Sequence, residues 1–141
     1  MIKQLCAEHR ALEAQAALLL DIVAGEVPDA AAVAGMRWGM AQALVAHCSR
    51  EDRQVYDVLL SSGDAVATGI AWRYRKDHGR LAPAFADYVV AWPVGRINRE
   101  WVRFREETRK VLAGLAERIE REEHVLYSHA ERVLAHRRAA A

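Results

Sequence analysis

Four stretches of this chain repeat apolar residues in steps of three and four, and each repeat is broken by residue types that ligate metals. The first reads Ile2, Leu5, His9, Leu12, Ala16, Leu19, Val23. The second reads Val33, Met36, Met40, Leu44, His47, Glu51, Val55, Val58. The third reads Ile70, Tyr74, His78, Leu81, Phe85, Tyr88. The fourth reads Ile97, Trp101, Phe104, Thr108, Val111, Leu115, Arg118, Glu122, Val125, Val133. Such steps keep residues on one helix face, so the polar breaks point into whatever those faces bury. A buried imidazole or carboxylate costs roughly several kcal/mol unless it is paired or bound to a metal. His47 and Glu51 lie four apart and project from the same face. One imidazole and one carboxylate can then reach a common cation, and the second carboxylate oxygen can reach a neighbouring one. The chemistry this implies is nitrogen and oxygen coordination of a divalent ion.

Turn residues divide the chain into the elements that must carry these groups. Gly25-Glu26-Val27-Pro28-Asp29 ends the first segment, with Gly25 suited to a C-terminal cap and Asp29 to the next N-cap. Ser61-Ser62-Gly63-Asp64 ends the second, and Trp92-Pro93-Val94-Gly95 ends the third. Helices are expected over about 2–24, 30–60, 64–91 and 96–136. Pro83 is expected to kink the third just past His78. No period-two alternation argues for a sheet. Short connections make neighbours antiparallel, so the expected fold is all-α, an up-down-up-down four-helix bundle forming one domain over residues 1–141. At 1.5 Å per residue, His47 and His78 both lie about 20 Å from the turn that joins their helices. His9 lies at a similar height, which argues for one shared site. Arg118 and Glu122 fit this level less well.

The order of these motifs resembles the hemerythrin-like, HHE cation-binding family over nearly the whole chain. The resemblance rests on A-E-H-R-A-L-E around His9, H-x-x-x-E-D-x-x-x-Y-x-x-L from His47, D-H-x-x-L around His78, and R-I-x-x-E-E-x-x-L-Y from Arg118. It implies a four-helix bundle holding non-heme iron, commonly a di-iron centre, that handles oxygen, nitric oxide, peroxide or iron. Mapped onto this chain, the implied metal ligands are His9, His47, Glu51, His78 and Glu122. One position departs: the helix-four motif should open with histidine, and this chain has Arg118. A guanidinium stays protonated and does not ligate iron. It can instead face Glu51 or Glu122 and stand in for one metal ion's charge. The expected cofactor is therefore iron, mononuclear or di-iron, with another divalent ion or none as alternatives. The expected role is metal binding with a small diatomic ligand rather than classical enzyme turnover. The alternatives are a metal-free helical interaction module, monomeric or a homodimer, that keeps the bundle without its chemistry, and a mononuclear iron oxidase or peroxidase-like activity.

Composition narrows the remainder. Twenty basic and 19 acidic side chains leave a formal charge of +1, which gives no support to nucleic-acid or acidic-membrane binding. No apolar run approaches the roughly 18 residues of a membrane span. Two cysteines, Cys6 and Cys48, make no disulfide framework, and a cytoplasmic location with reduced thiols is expected. Cys6, three residues before His9, is a substitute ligand or a small apolar residue; Cys48 is expected between helices. Tyr56 and Tyr127 each follow a mapped glutamate by five residues and are expected to pack below the site, with a hydrogen bond to a metal ligand as the alternative. Glu123 and His124 fall off the stripe, and His129 is expected near a helix end. Trp38, Trp72, Trp92 and Trp101 are expected as core or interface residues. The serines fall in no nucleophile-elbow setting, and no P-loop or dinucleotide fingerprint is present.

Overall fold

Asp29 closes the first turn as its residue type predicts: its side chain accepts a hydrogen bond from the Ala32 amide at 3.2 Å. Asp64 does the same for the third arm, accepting from Val66 N at 3.1 Å. Gly63 before it adopts φ +76°, a conformation that glycine takes without a Cβ penalty. Gly25 behaves otherwise than a left-handed cap. Its backbone is extended, and its amide bonds back to Ile22 O. Its carbonyl accepts from Trp101 Nε1 at 2.9 Å, which pins the first turn to the fourth arm.

The computed structural model describes residues 1–78 and 81–141, with His78 described as backbone alone. The described residues form helices and no strand. The first arm is α1 (Ile2–Ala24). The second is α2 (Ala30–Glu51), a π-turn (Asp52–Tyr56) and α3 (Asp57–Leu60). The third is α4 (Ala65–His78) and α5 (Leu81–Ala91). A short α6 (Val94–Arg99) leads into the fourth: α7 (Trp101–Arg121), a second π-turn (Glu122–Leu126) and α8 (Tyr127–Ala140). α1 packs on α2 and α7, α2 on α5, and both α3 and α4 on α8. This is the all-α bundle that the periodicity predicts.

The kink expected at Pro83 just past His78 falls where residues 79 and 80 lie outside the described residues. One local expectation needs correction. The fourth arm does not run unbroken from residue 96: Glu100, at φ −125° and ψ 47°, separates α6 from α7. Trp92 and Trp101 are core residues, whereas Trp38 and Trp72 are more than half exposed.

Buried apolar residues form two clusters. One holds Leu12, Leu44, Phe85, Phe104, Leu115 and Ile119 among others. The second holds Leu5, Val55, Tyr56, Leu59, Leu126 and Tyr127 among others. Each fully buried Leu, Val or Phe stabilises the fold by about 1.5–3 kcal/mol. His9 falls between Leu5 and Leu12, His47 and Glu51 between Leu44 and Val55, and Glu122 between Ile119 and Leu126. The bundle is thus two apolar cores with one polar layer between them.

A buried arginine lies away from that layer. Arg37 donates to Trp92 O at 2.8 Å, and its guanidinium lies over the Tyr88 and Phe104 rings at 5.3 and 5.6 Å. It ties α2 to the third arm's end through one charge-assisted bond and two cation–π contacts.

Candidate metal centre

His9 on α1, His47 and Glu51 on α2, and Glu122 at the second π-turn converge in the polar layer. Each offers one ligand atom, and all four atoms lie within 4.8 Å of one another. All four residues are buried. Metal bonds of about 2.0–2.2 Å put tetrahedral ligands roughly 3.4 Å apart. The widest pair would therefore have to close by up to about 1.4 Å to surround one ion, within reach of small side-chain rotations. His47 Nε2 lies 3.3 Å from Glu51 Oε2, and His9 Nε2 lies 3.7 Å from Glu122 Oε1. Of the five ligands expected from the sequence, the structure brings these four together. The fifth, the His78 side chain, lies outside the described residues.

The outer nitrogen of each histidine faces a carboxylate from another helix. His9 Nδ1 bonds Glu123 Oε2 at 2.7 Å, and Glu123 is in turn paired with Arg10. His47 Nδ1 lies 3.4 Å from Glu8 Oε2, and Glu8 is bound by Arg50, with Nη1 2.6 Å from Oε2. An Nδ1–H given to a carboxylate leaves the Nε2 lone pair aimed inward and makes it more basic, the usual support of a metal-bound imidazole. Sequence reasoning set Glu123 aside as off the stripe and did not single out Glu8. The signal available was their adjacency to Glu122 and His9 on flanks facing a neighbouring helix.

Tyr127 takes the alternative of its two expected roles, a hydrogen bond to a mapped ligand. Its ring stacks on His9 with centroids 5.4 Å apart, and its hydroxyl donates to Glu51 Oε2 at 2.6 Å. Five residues of ordinary helix would turn a side chain about 140° away from Glu122. The π-turn inserts one extra residue and brings Tyr127 back to the core face. The same insertion follows Glu51 and buries Tyr56. It also displaces Val125, expected on the stripe, which is exposed while Leu126 is buried. Single π-turns inside α-helices recur at functional sites.

Electrostatics fix the protons. Burial alone would raise Glu51, but hydrogen bonds from His47, Glu122 and Tyr127 hold its carboxyl down at about 2. Burial and the Glu51 charge push Glu122 far above the carboxylate range, with Arg118 only partly opposing them. The two carboxyls are thus pushed apart, Glu122 toward holding a proton and Glu51 toward losing one. Burial would lower His47, but the Glu51 and Glu8 carboxylates outweigh it and raise the ring. Burial and the nearby His47 ring lower His9, with Glu123 opposing.

Two further positions bear on the donor set. Arg118 Nε lies 3.7 Å from Glu122 Oε1, with its side chain largely buried. Cys6 packs against the lower core and is not among the four converging residues. Cys48 lies beside a cavity reaching Glu51, and burial pushes its thiol up to about 12. His124 is exposed, as its register predicts.

The residues fit a metal ion. His47 Nε2 is buried and faces only the Glu51 carboxylate, 3.3 Å away and poorly aligned for a hydrogen bond. An ion at the centre of the four ligands would give that nitrogen and the carboxylate a common partner.

A family model described as the hemerythrin HHE cation binding domain matches residues 1–130. No curated protein and no solved structure matches the chain. Among the described residues no helix is long and apolar enough to cross a membrane.

Proposed function

The chain belongs to the hemerythrin HHE cation-binding family, and from there we propose that it holds one divalent ion, iron foremost, between His9, His47, Glu51 and Glu122. The observation that carries this reading is the convergence of four buried ligand atoms within 4.8 Å, between two apolar cores. Two imidazoles and two carboxylates suit Fe(II), Zn(II) or Mn(II). Arg118 takes the helix-four position where the family pattern has histidine, and its guanidinium replaces a second ion's charge beside Glu122. Bound iron would supply reversible binding of a small diatomic molecule, so the role is oxygen, nitric-oxide or iron handling rather than turnover of an organic substrate. Glu123 and Glu8 hold the two rings in register, and Tyr127 holds Glu51 by its inner oxygen.

A metal-free interaction module is the second reading. It is favoured by the proton that Glu122 holds beside Glu51, which lowers the charge of the layer without any ion. Against it stands the convergence of two imidazoles on the same two buried carboxylates, with His47 Nε2 poorly aligned toward Glu51.

A thermal melt of iron-loaded protein with and without chelator separates the two. An ion at 100 times its dissociation constant stabilises the fold by about 2.7 kcal/mol, so chelator should lower the melting temperature by roughly 5–10 °C. The difference should grow from about pH 6 to about pH 8, because the ion must displace protons held on Glu122 and His47, both raised in the metal-free fold. Identical melts at both pH values would support the interaction module.

A further inference from the structure

We propose that the cavity of about 280 Å³ beside Glu51 is a binding site for a small monovalent oxyanion, of formate or nitrite size, that fills once the metal is in place. This rests on the metal-binding reading above. The cavity lies between the second, third and fourth arms, and its walls include Glu51, Cys48, Tyr56, Arg75 and Arg118.

The first observation is the Tyr56 hydroxyl. Tyr56 is only 2% exposed, and its Oη is buried without a hydrogen-bond partner among the described residues. Its counterpart after the other π-turn, Tyr127, donates to Glu51. A buried hydroxyl left without an acceptor is costly, and Tyr56 lines a cavity that has room for one. Burial and the Glu51 and Glu122 carboxylates also keep the phenol protonated, so it remains a donor.

The second observation is charge. Arg75 lies over the Tyr56 ring at 5.6 Å and is 3.8 Å from Asp52. Arg118 enters the same cavity from α7. Around a divalent ion, the two guanidinium groups face three carboxylates, those of Glu51, Asp52 and Glu122. The loaded site is left with one positive charge that an anion would neutralise; without the ion that positive excess is gone. The acceptor that Tyr56 lacks and the charge that the loaded site lacks are supplied by one ligand. Its oxygens can take the phenol proton and a guanidinium fork.

Isothermal titration of sodium formate into the iron-loaded, full-length chain in chloride-free buffer tests this, with metal content measured on the same sample. Formate should bind the loaded protein and not the metal-free one. Tyr56→Phe should weaken formate binding by about tenfold or more, the usual effect of one hydrogen bond to a charged group. Arg75→Gln should weaken it as well. Both variants should keep the wild-type metal content, and metal-free Tyr56→Phe should melt no lower than wild type, because its hydroxyl has no partner to lose among the described residues. A loaded protein that ignores formate overturns the inference, as does equal binding by wild type and Tyr56→Phe or by the loaded and metal-free forms. A chain that takes up no metal overturns the metal-binding reading itself, and this inference with it.

Discussion

Arg118→His should raise the metal content from about one ion per chain to about two, because it adds a nitrogen donor and removes a fixed positive charge. In the wild type the guanidinium stands 3.7 Å from Glu122 and is largely buried. It fills the place of a second cation, so the two compete for the same carboxylate. The same substitution should weaken the metal-free fold. Breaking a fully charged buried pair costs about 3–5 kcal/mol. Here the loss should be smaller, about 1–3 kcal/mol, because Glu122 already carries a proton in the metal-free state. Metal analysis and paired melts read both effects. A variant with unchanged metal content and an unchanged melt would show that Arg118 has no bearing on the centre.

Glu51→Ala should abolish metal binding and lower the metal-free melting temperature as well. Glu51 touches His47, Tyr127 and Glu122 together through its carboxylate. Losing a ligand should reduce affinity beyond the roughly 10–100-fold typical of losing an outer support. Truncation also leaves the Tyr127 hydroxyl with only its longer 3.3 Å contact to His9 Nε2, a loss of about 0.5–1.5 kcal/mol. The pH dependence has a definite sign. The folded carboxyl is depressed from 4.5 to about 2, so its contribution is present above the ordinary value and is lost as pH falls through that window. The metal-free variant should therefore lose less stability than wild type on acidification across it. Chemical denaturation at several pH values measures this. Equal slopes would mean that Glu51 is not held by its neighbours as described.

His9, His47, Glu51 and Glu122 were legible in the sequence because each interrupts an apolar repeat, and helical period alone puts such residues on the buried face. The bundle was legible for the same reason. The supports were not. Glu8 and Glu123 lie off the stripe and act across helix boundaries, on His47 and His9 of other arms. Residue spacing within one helix carries no information about that pairing. The π-turns left no trace in propensity either, and they moved Tyr127 inward and Val125 outward against a strict 3.6-residue count. Arg37 was missed because its burial depends on two rings and a carbonyl from distant segments. Trp38 and Trp72 show the converse, since size and apolarity alone did not decide their burial.

The central claim is one ion in a layer built for one ion. Metal analysis of untagged protein, loaded anaerobically with Fe(II) and freed of excess, tests it most directly. The account predicts about one iron per chain, lost on Glu51→Ala. About two per chain would contradict the role given to Arg118, and none would contradict the metal centre itself.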